Sequence, residues 1–238
     1  MERSHRRGTT LHTEETPALS NAASRIPRDT SDHVCLFGPL HYEPDYAYPL
    51  IVWLHGNGGS ESDARRVMPH ISMQNFVAVA PRGTQPVTKR KFGHRWSQKQ
   101  VNAAEIRVLR AVELAEARFN IGENRVFLAG FDSGATMAYR LAFAHPERFA
   151  GVIAACGGFP SGRRPFARLA ESRDLPVLML YGEQSDVYPA EDACADLRLF
   201  HAAGLDITLR QYPCGQSLSK EMLADVNRWI MERLGAVA

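Results

Sequence analysis

The tightest constraint on this chain is a buried strand that must turn into a helix across a single residue. Residues 125–129, Arg-Val-Phe-Leu-Ala, form a short apolar, β-rich run. Residues 133–145, rich in Ala, Met and Leu and followed by Pro146, read as a helix. Between them lies Gly130-Phe131-Asp132-Ser133-Gly134. So sharp a turn presses the strand and helix backbones together, so the positions two before and two after the apex must be very small. Centred on Asp132 they are Gly130 and Gly134; centred on Ser133 they would be Phe131 and Ala135, which fit badly. Asp132 is therefore expected at the apex, with Ser133 one step into the helix. Aspartate tolerates positive φ better than most non-glycine residues, so it can hold such a position.

The rest of the chain alternates strand-like and helix-like segments. That is the pattern of an α/β protein with a mostly parallel central sheet and helices on both faces. Residues 33–37 read as an edge strand, and 50–54 and 76–80 as short, continuous, buried ones. Further strands are expected at 149–155, 176–181 and 206–212, and helices at 101–119, 189–203 and 220–234. Right-handed crossovers put the strand-end loops on one rim, where ligands bind in open α/β sheets. Residues 1–31 are polar and lack a hydrophobic period, so they read as a flexible tail before a single domain over 32–238.

With 238 residues and 45% hydrophobic content the chain can bury one sizeable core. Its formal charge of +2, from 28 basic and 26 acidic residues, is no excess that would argue for nucleic acid or an anionic membrane surface as a partner, and neither nucleic acid nor a membrane span is expected. Cys35, Cys156, Cys194 and Cys214 show no metal-type spacing. They read as buried free thiols in a reducing compartment. The N-terminus lacks an apolar leader and no run reaches membrane-spanning length, so a cytoplasmic protein is expected.

Several ordered motifs then resemble the α/β-hydrolase fold, and within it the phospholipase/carboxylesterase group that includes acyl-protein thioesterases and dienelactone-hydrolase-like enzymes. The resemblance covers residues 50–234. It is carried by Leu54-His55-Gly56-Asn57-Gly58-Gly59, Pro81-Arg82-Gly83, the Trp96 segment, Phe127-Leu128-Ala129-Gly130-Phe131, Gly182-Glu183-Gln184-Ser185-Asp186 with Pro189, and Tyr212-Pro213-Cys214-Gly215-Gln216. In such enzymes a G-x-S-x-G elbow exposes a nucleophilic serine above the sheet. Serine, acid and histidine follow in chain order: the histidine takes the serine's proton and the acid fixes the histidine tautomer. The resemblance implies Asp132, Asp186 and Gln216 in these three positions, with serine and histidine both replaced. It also implies oxyanion-hole donors at the backbones of Asn57 and Ser133, a substrate wall at Trp96, and no large cap domain. Residues 157–174, with Arg163, Arg164 and Arg168, offer a basic surface that can attract an acidic ligand.

Glutamine cannot shuttle a proton at neutral pH, so these replacements point to an impaired or inactive esterase that binds a small ester-like or acyl ligand. The Asp132 carboxylate can fill the oxyanion hole itself. Gln216 is expected to bridge Asp132 and Asp186, or, less simply, to join them around a hard divalent cation. His55, His94 and His201 read as structural or exposed. Two active alternatives remain open: Asp132 as the nucleophile of a dehalogenase-like covalent ester, and weak esterase chemistry through Ser133. Nothing in the sequence demands a cofactor or metal, and a homodimer carries no sequence signature.

Overall fold

The structure, a computed structural model, describes residues 33–88, 91–162 and 166–235. Its strands are β1 Val34–Phe37, β2 Tyr48–Leu54, β3 Val77–Pro81, β4 Gln85–Thr88, β5 Lys91–Arg95, β6 Ile121–Phe131, β7 Gly151–Ala155, β8 Val177–Gly182 and β9 Ile207–Tyr212. Its helices are α1 Ala64–Ile71, α2 Val101–Glu116, α3 Ser133–Ala144, α4 Leu169–Ser172, α5 Ala190–Ala203 and α6 Lys220–Gly235. The tail expected over 1–31, and the side chains of Arg163 and Arg164, lie outside the described residues.

Seven strands form one sheet in the order β1-β3-β2-β6-β7-β8-β9. All pairs are parallel except the edge pair, in which β1 runs antiparallel to β3. Alternation along a strand sends successive side chains to opposite faces, and here both faces are buried. In β2, Leu50, Val52 and Leu54 enter one core with α2, α3 and Phe200 of α5. Ile51 and Trp53 enter the other, with α1 and α6. The expectation of a mostly parallel sheet covered on both faces is met, and no large cap is present among the described residues.

This topology places the site. From the adjacent strands β2 and β6 the chain departs to helices on opposite faces, α1 and α3, and leaves a crevice at the strands' C-terminal ends. The two glycines flanking the apex are explained by close approach. A Cβ on Gly134 would collide with the Leu54 and His55 carbonyl oxygens, and one on Gly130 with the Gly134 backbone.

Two features were not anticipated from the sequence. Helix α1 buries Ala64, Val67, Met68 and Ile71, an i, i+3, i+4, i+7 stripe that was legible despite Pro69 within it. The β4–β5 hairpin has little apolar pattern and is fixed instead by distant backbone: the Gly58 N–H donates to the His94 carbonyl at 2.9 Å and the His94 N–H to the Gly59 carbonyl at 2.8 Å. The cysteines also need correction. All are free, but only Cys35 and Cys156 are buried; Cys214 is half-buried and Cys194 lies on the exposed face of α5, one residue round from buried Ala193. No described helix is long and apolar enough to cross a membrane.

Candidate active site at the strand-to-helix apex

Asp132 stands at the apex with φ 51° and ψ −120°, a conformation that L-residues with a Cβ seldom adopt. The turn is held from both sides. The Asp132 N–H donates to the Ala155 carbonyl of β7 at 3.0 Å, and the Asp132 carbonyl accepts from the N–H groups of Ala135 and Thr136 at 3.0 and 3.2 Å. Its carboxylate makes no capping bond to α3. It turns across the crevice, where Oδ2 accepts the Asn57 N–H at 2.8 Å. Of the two backbone donors expected to form an oxyanion hole, the Asn57 N–H thus meets the carboxylate, and no hydrogen bond from the Ser133 N–H to it is formed among the described residues.

Ser133 starts α3 as expected, and its hydroxyl is buried without a hydrogen-bond partner among the described residues. No base touches it.

Asp186 and Gln216 lie in the loops after β8 and β9, on the same rim as Asp132. The expected bridge between the two carboxylates is not formed. The Gln216 side-chain amide donates from Nε2 to the Cys156 carbonyl at 2.7 Å, and its Oε1 accepts the Ser185 hydroxyl at 2.6 Å. The Ser185 Oγ in turn accepts the N–H groups of Val187 and Tyr188 at 3.2 and 3.1 Å. Gln216 is thereby a staple between the loops after β7, β8 and β9, and Asp186 is left exposed. No cluster of three or more His, Cys, Asp or Glu suited to a metal exists among the described residues. Cys156 itself has a positive φ of 50°. Sequence reasoning missed both Ser185 and Cys156. A serine followed two and three residues on by loop N–H groups is a recognisable turn signal, whereas nothing local marks Cys156.

His55 is 1% exposed and spent at both ring nitrogens: Nδ1–H donates to the Gly56 carbonyl at 2.8 Å and Nε2 accepts the Gly83 N–H at 2.9 Å. Burial lowers its pKa from the ordinary 6.5, outweighing the Gly56 bond that acts the other way. It is a structural, neutral histidine, as expected.

Beside the apex a cleft of about 430 Å³ is walled by Asn57, Trp96, Asp132 and Ser133, and by Gln85, Arg95 and residues 97–99. Trp96 belongs to this wall, but at 2% exposed it packs in the core, its ring 5.8 Å from that of His55. It shapes the cleft from beneath, with little of its ring exposed. Arg168 is tied to the Ala144 carbonyl at 3.1 Å and to Glu147 at 2.7 Å.

A glycine-flanked apex at the switch point of a mostly parallel sheet, with a backbone donor facing it from the neighbouring loop, defines an α/β-hydrolase. The chain belongs to the phospholipase/carboxylesterase family, whose pattern matches residues 43–233. It is similar to NocK of Nocardia uniformis subsp. tsuyamanensis, provisionally described as an esterase, with 32% identity over 148 residues, 59% of this chain and 41% of NocK. It is also similar to epoxide hydrolase B of Mycobacterium tuberculosis, with 29% identity over 110 residues, 46% of this chain and 29% of that protein. The chain therefore spans less than half the length of these curated relatives. The crystal structure of Zea mays acyl-protein thioesterase 2 superposes with a TM-score of 0.66 at 18% identity, over 85% of this chain and 99% of that one, a likeness of fold. By family the chain is a carboxylesterase-like hydrolase homologue.

Proposed function

We propose that this chain has lost serine-ester turnover and acts, through residues 32–238 as one α/β-hydrolase domain, as a binding protein for a small ester-like or acyl ligand. The observation that carries this reading is the hydrogen bond from the Asn57 N–H to the Asp132 carboxylate. A donor of that kind stabilises a developing oxyanion in an active esterase, and here a permanent anion occupies it. The Gln216 position reinforces the reading, because an amide bonded to Cys156 and Ser185 neither accepts nor returns a proton. Four free thiols support a reducing, cytoplasmic setting. Turnover of p-nitrophenyl butyrate by wild type and by Asp132→Ser/Gln216→His tests the proposal: silence in the first with activity gained in the second is expected. Wild-type turnover above a heat-denatured control would sink it.

A second reading, Asp132 as nucleophile, is favoured by the apex aspartate together with the similarity to an epoxide hydrolase. One carboxylate oxygen would attack an epoxide carbon, the carbon–oxygen bond of the ring would break with its electron pair leaving on oxygen, that oxygen would take a proton from water, and a hydroxyalkyl ester would form on Asp132. Hydrolysis of that ester needs a base to deprotonate water, which Gln216 cannot supply, so the ester should accumulate. Intact-mass analysis after incubation with styrene oxide decides the matter: no adduct on the peptide carrying Asp132 removes the second reading. Chemistry through Ser133 has no support in its unpartnered, buried hydroxyl, and ester turnover abolished by Ser133→Ala alone would restore it.

A further inference from the structure

We propose that the cleft beside Asp132 binds a small organic carboxylate, with the anion held by Arg95 and Lys99. The proposal rests on the binding-protein reading and names the class of ligand. Its basis is an imbalance of hydrogen-bonding groups along the wall formed by Gln85 and residues 95–99. Arginine only donates, so its partners reveal which end of each amide is in use. The Arg95 Nε donates to Gln85 Oε1 at 3.3 Å, and the Arg140 Nε donates to Gln98 Oε1 at 2.7 Å. Both glutamines thereby turn their carbonyl oxygens toward an arginine, with one of two lone pairs engaged, and their NH2 groups have no partner among the described residues. Arg140 is itself anchored, donating from a terminal nitrogen to the Ser161 carbonyl at 2.7 Å, so the orientation of Gln98 is fixed from behind. The Ser97 Oγ accepts the Lys99 N–H at 3.4 Å and keeps its proton for donation.

What this wall offers is mainly donors, and both of its charges are positive: two amide NH2 groups, a hydroxyl, the terminal nitrogens of the Arg95 guanidinium and the Lys99 ammonium. A ligand that matches them is rich in acceptors and anionic, and the planar guanidinium favours a carboxylate in bidentate contact. Asp132, which lines the same cleft, has the opposite sign. An anion would be repelled by Asp132, so the ligand lies with its charge at Arg95 and Lys99 and its uncharged part toward Asp132. The volume of about 430 Å³ falls within the range of small-molecule sites.

The indole of Trp96 reports on this wall, and only Trp53 and Trp229 share its signal type, so 15N-labelled full-length protein gives a site-specific readout. Titration with butyrate should move the Trp96 indole resonance saturably while that of Trp229 stays in place. Neutral butyramide should bind about tenfold more weakly or worse, because it forfeits the charge-assisted bonds. Arg95→Gln and Lys99→Gln, separately and together, should weaken butyrate to a similar degree, with unchanged Trp229 signals certifying the fold. Equal binding of butyrate and butyramide overturns the proposal, as does butyrate binding that both variants leave intact. Inorganic phosphate binding about tenfold more tightly than butyrate overturns the carboxylate assignment in favour of a phosphate site. Ester turnover by wild type would remove the non-catalytic reading without altering any of these readouts, so the two failures are separable.

Discussion

The conformation of Asp132 gives a stability prediction that separates backbone strain from side-chain bonding. At φ 51° and ψ −120° the residue sits where a Cβ is sterically disfavoured, at a cost of about 1–3 kcal/mol. Its carboxylate offsets a similar amount through the charge-assisted bond from Asn57, of a type worth about 1.5–3 kcal/mol. Asp132→Ala removes the bond and keeps the strain, whereas Asp132→Gly removes both. The difference between the two variants therefore isolates the strain, less the roughly 0.4–1 kcal/mol by which glycine's unfolded chain is favoured. Asp132→Gly should exceed Asp132→Ala in stability by about 0.5–2 kcal/mol, and should lie close to wild type as strain relief offsets the lost bond. Urea unfolding followed by tryptophan fluorescence measures this, provided the slope with denaturant is common to all three proteins. An Asp132→Ala variant as stable as Asp132→Gly would refute the strained apex, and with it the placement of Asp132 rather than Ser133 at the turn.

Three further outcomes are expected. Gln216→Ala should destabilise by about 1–3 kcal/mol in thermal or urea unfolding, because it leaves the Cys156 carbonyl and the Ser185 hydroxyl without their partner; an unchanged midpoint would show that the staple contributes nothing. His55 is held neutral by burial, so the unfolded chain takes up its proton first as pH falls below 6.5, and the stability His55 confers, complete above that pH, drains away toward its lower folded pKa. The gap in unfolding free energy between wild type and His55→Asn should accordingly shrink between pH 7.5 and pH 5.5, and a gap that widens would reverse the sign of the argument. Burial raises the Cys156 thiol to about 11, whereas Cys194 is exposed, so iodoacetamide at pH 8 should label Cys194 first and Cys156 only on unfolding, as read by peptide mass spectrometry.

The sequence alone determined the sheet, its helices and the apex. Continuous apolar runs such as residues 50–54 have only a doubly covered sheet in which to bury both faces, and the spacing of Gly130 and Gly134 around Asp132 admits one centre for the turn. It also identified the positions after β6, β8 and β9 at which Asp132, Asp186 and Gln216 now stand on one rim. It did not determine what those side chains touch. Gln216 was expected to span two carboxylates because all three lie near one another in the fold's plan, yet its amide is satisfied by a backbone carbonyl and a hydroxyl that sequence distance hides, 60 and 31 residues away. The hairpin β4–β5 likewise owes its place to backbone bonds with Gly58 and Gly59 rather than to its own pattern. Elements are local consequences of periodicity and of glycine, which the chain carries in order. Hydrogen-bond partners are chosen among groups brought together by folding, each buried donor and acceptor taking whichever partner satisfies it, and that choice is made only in three dimensions.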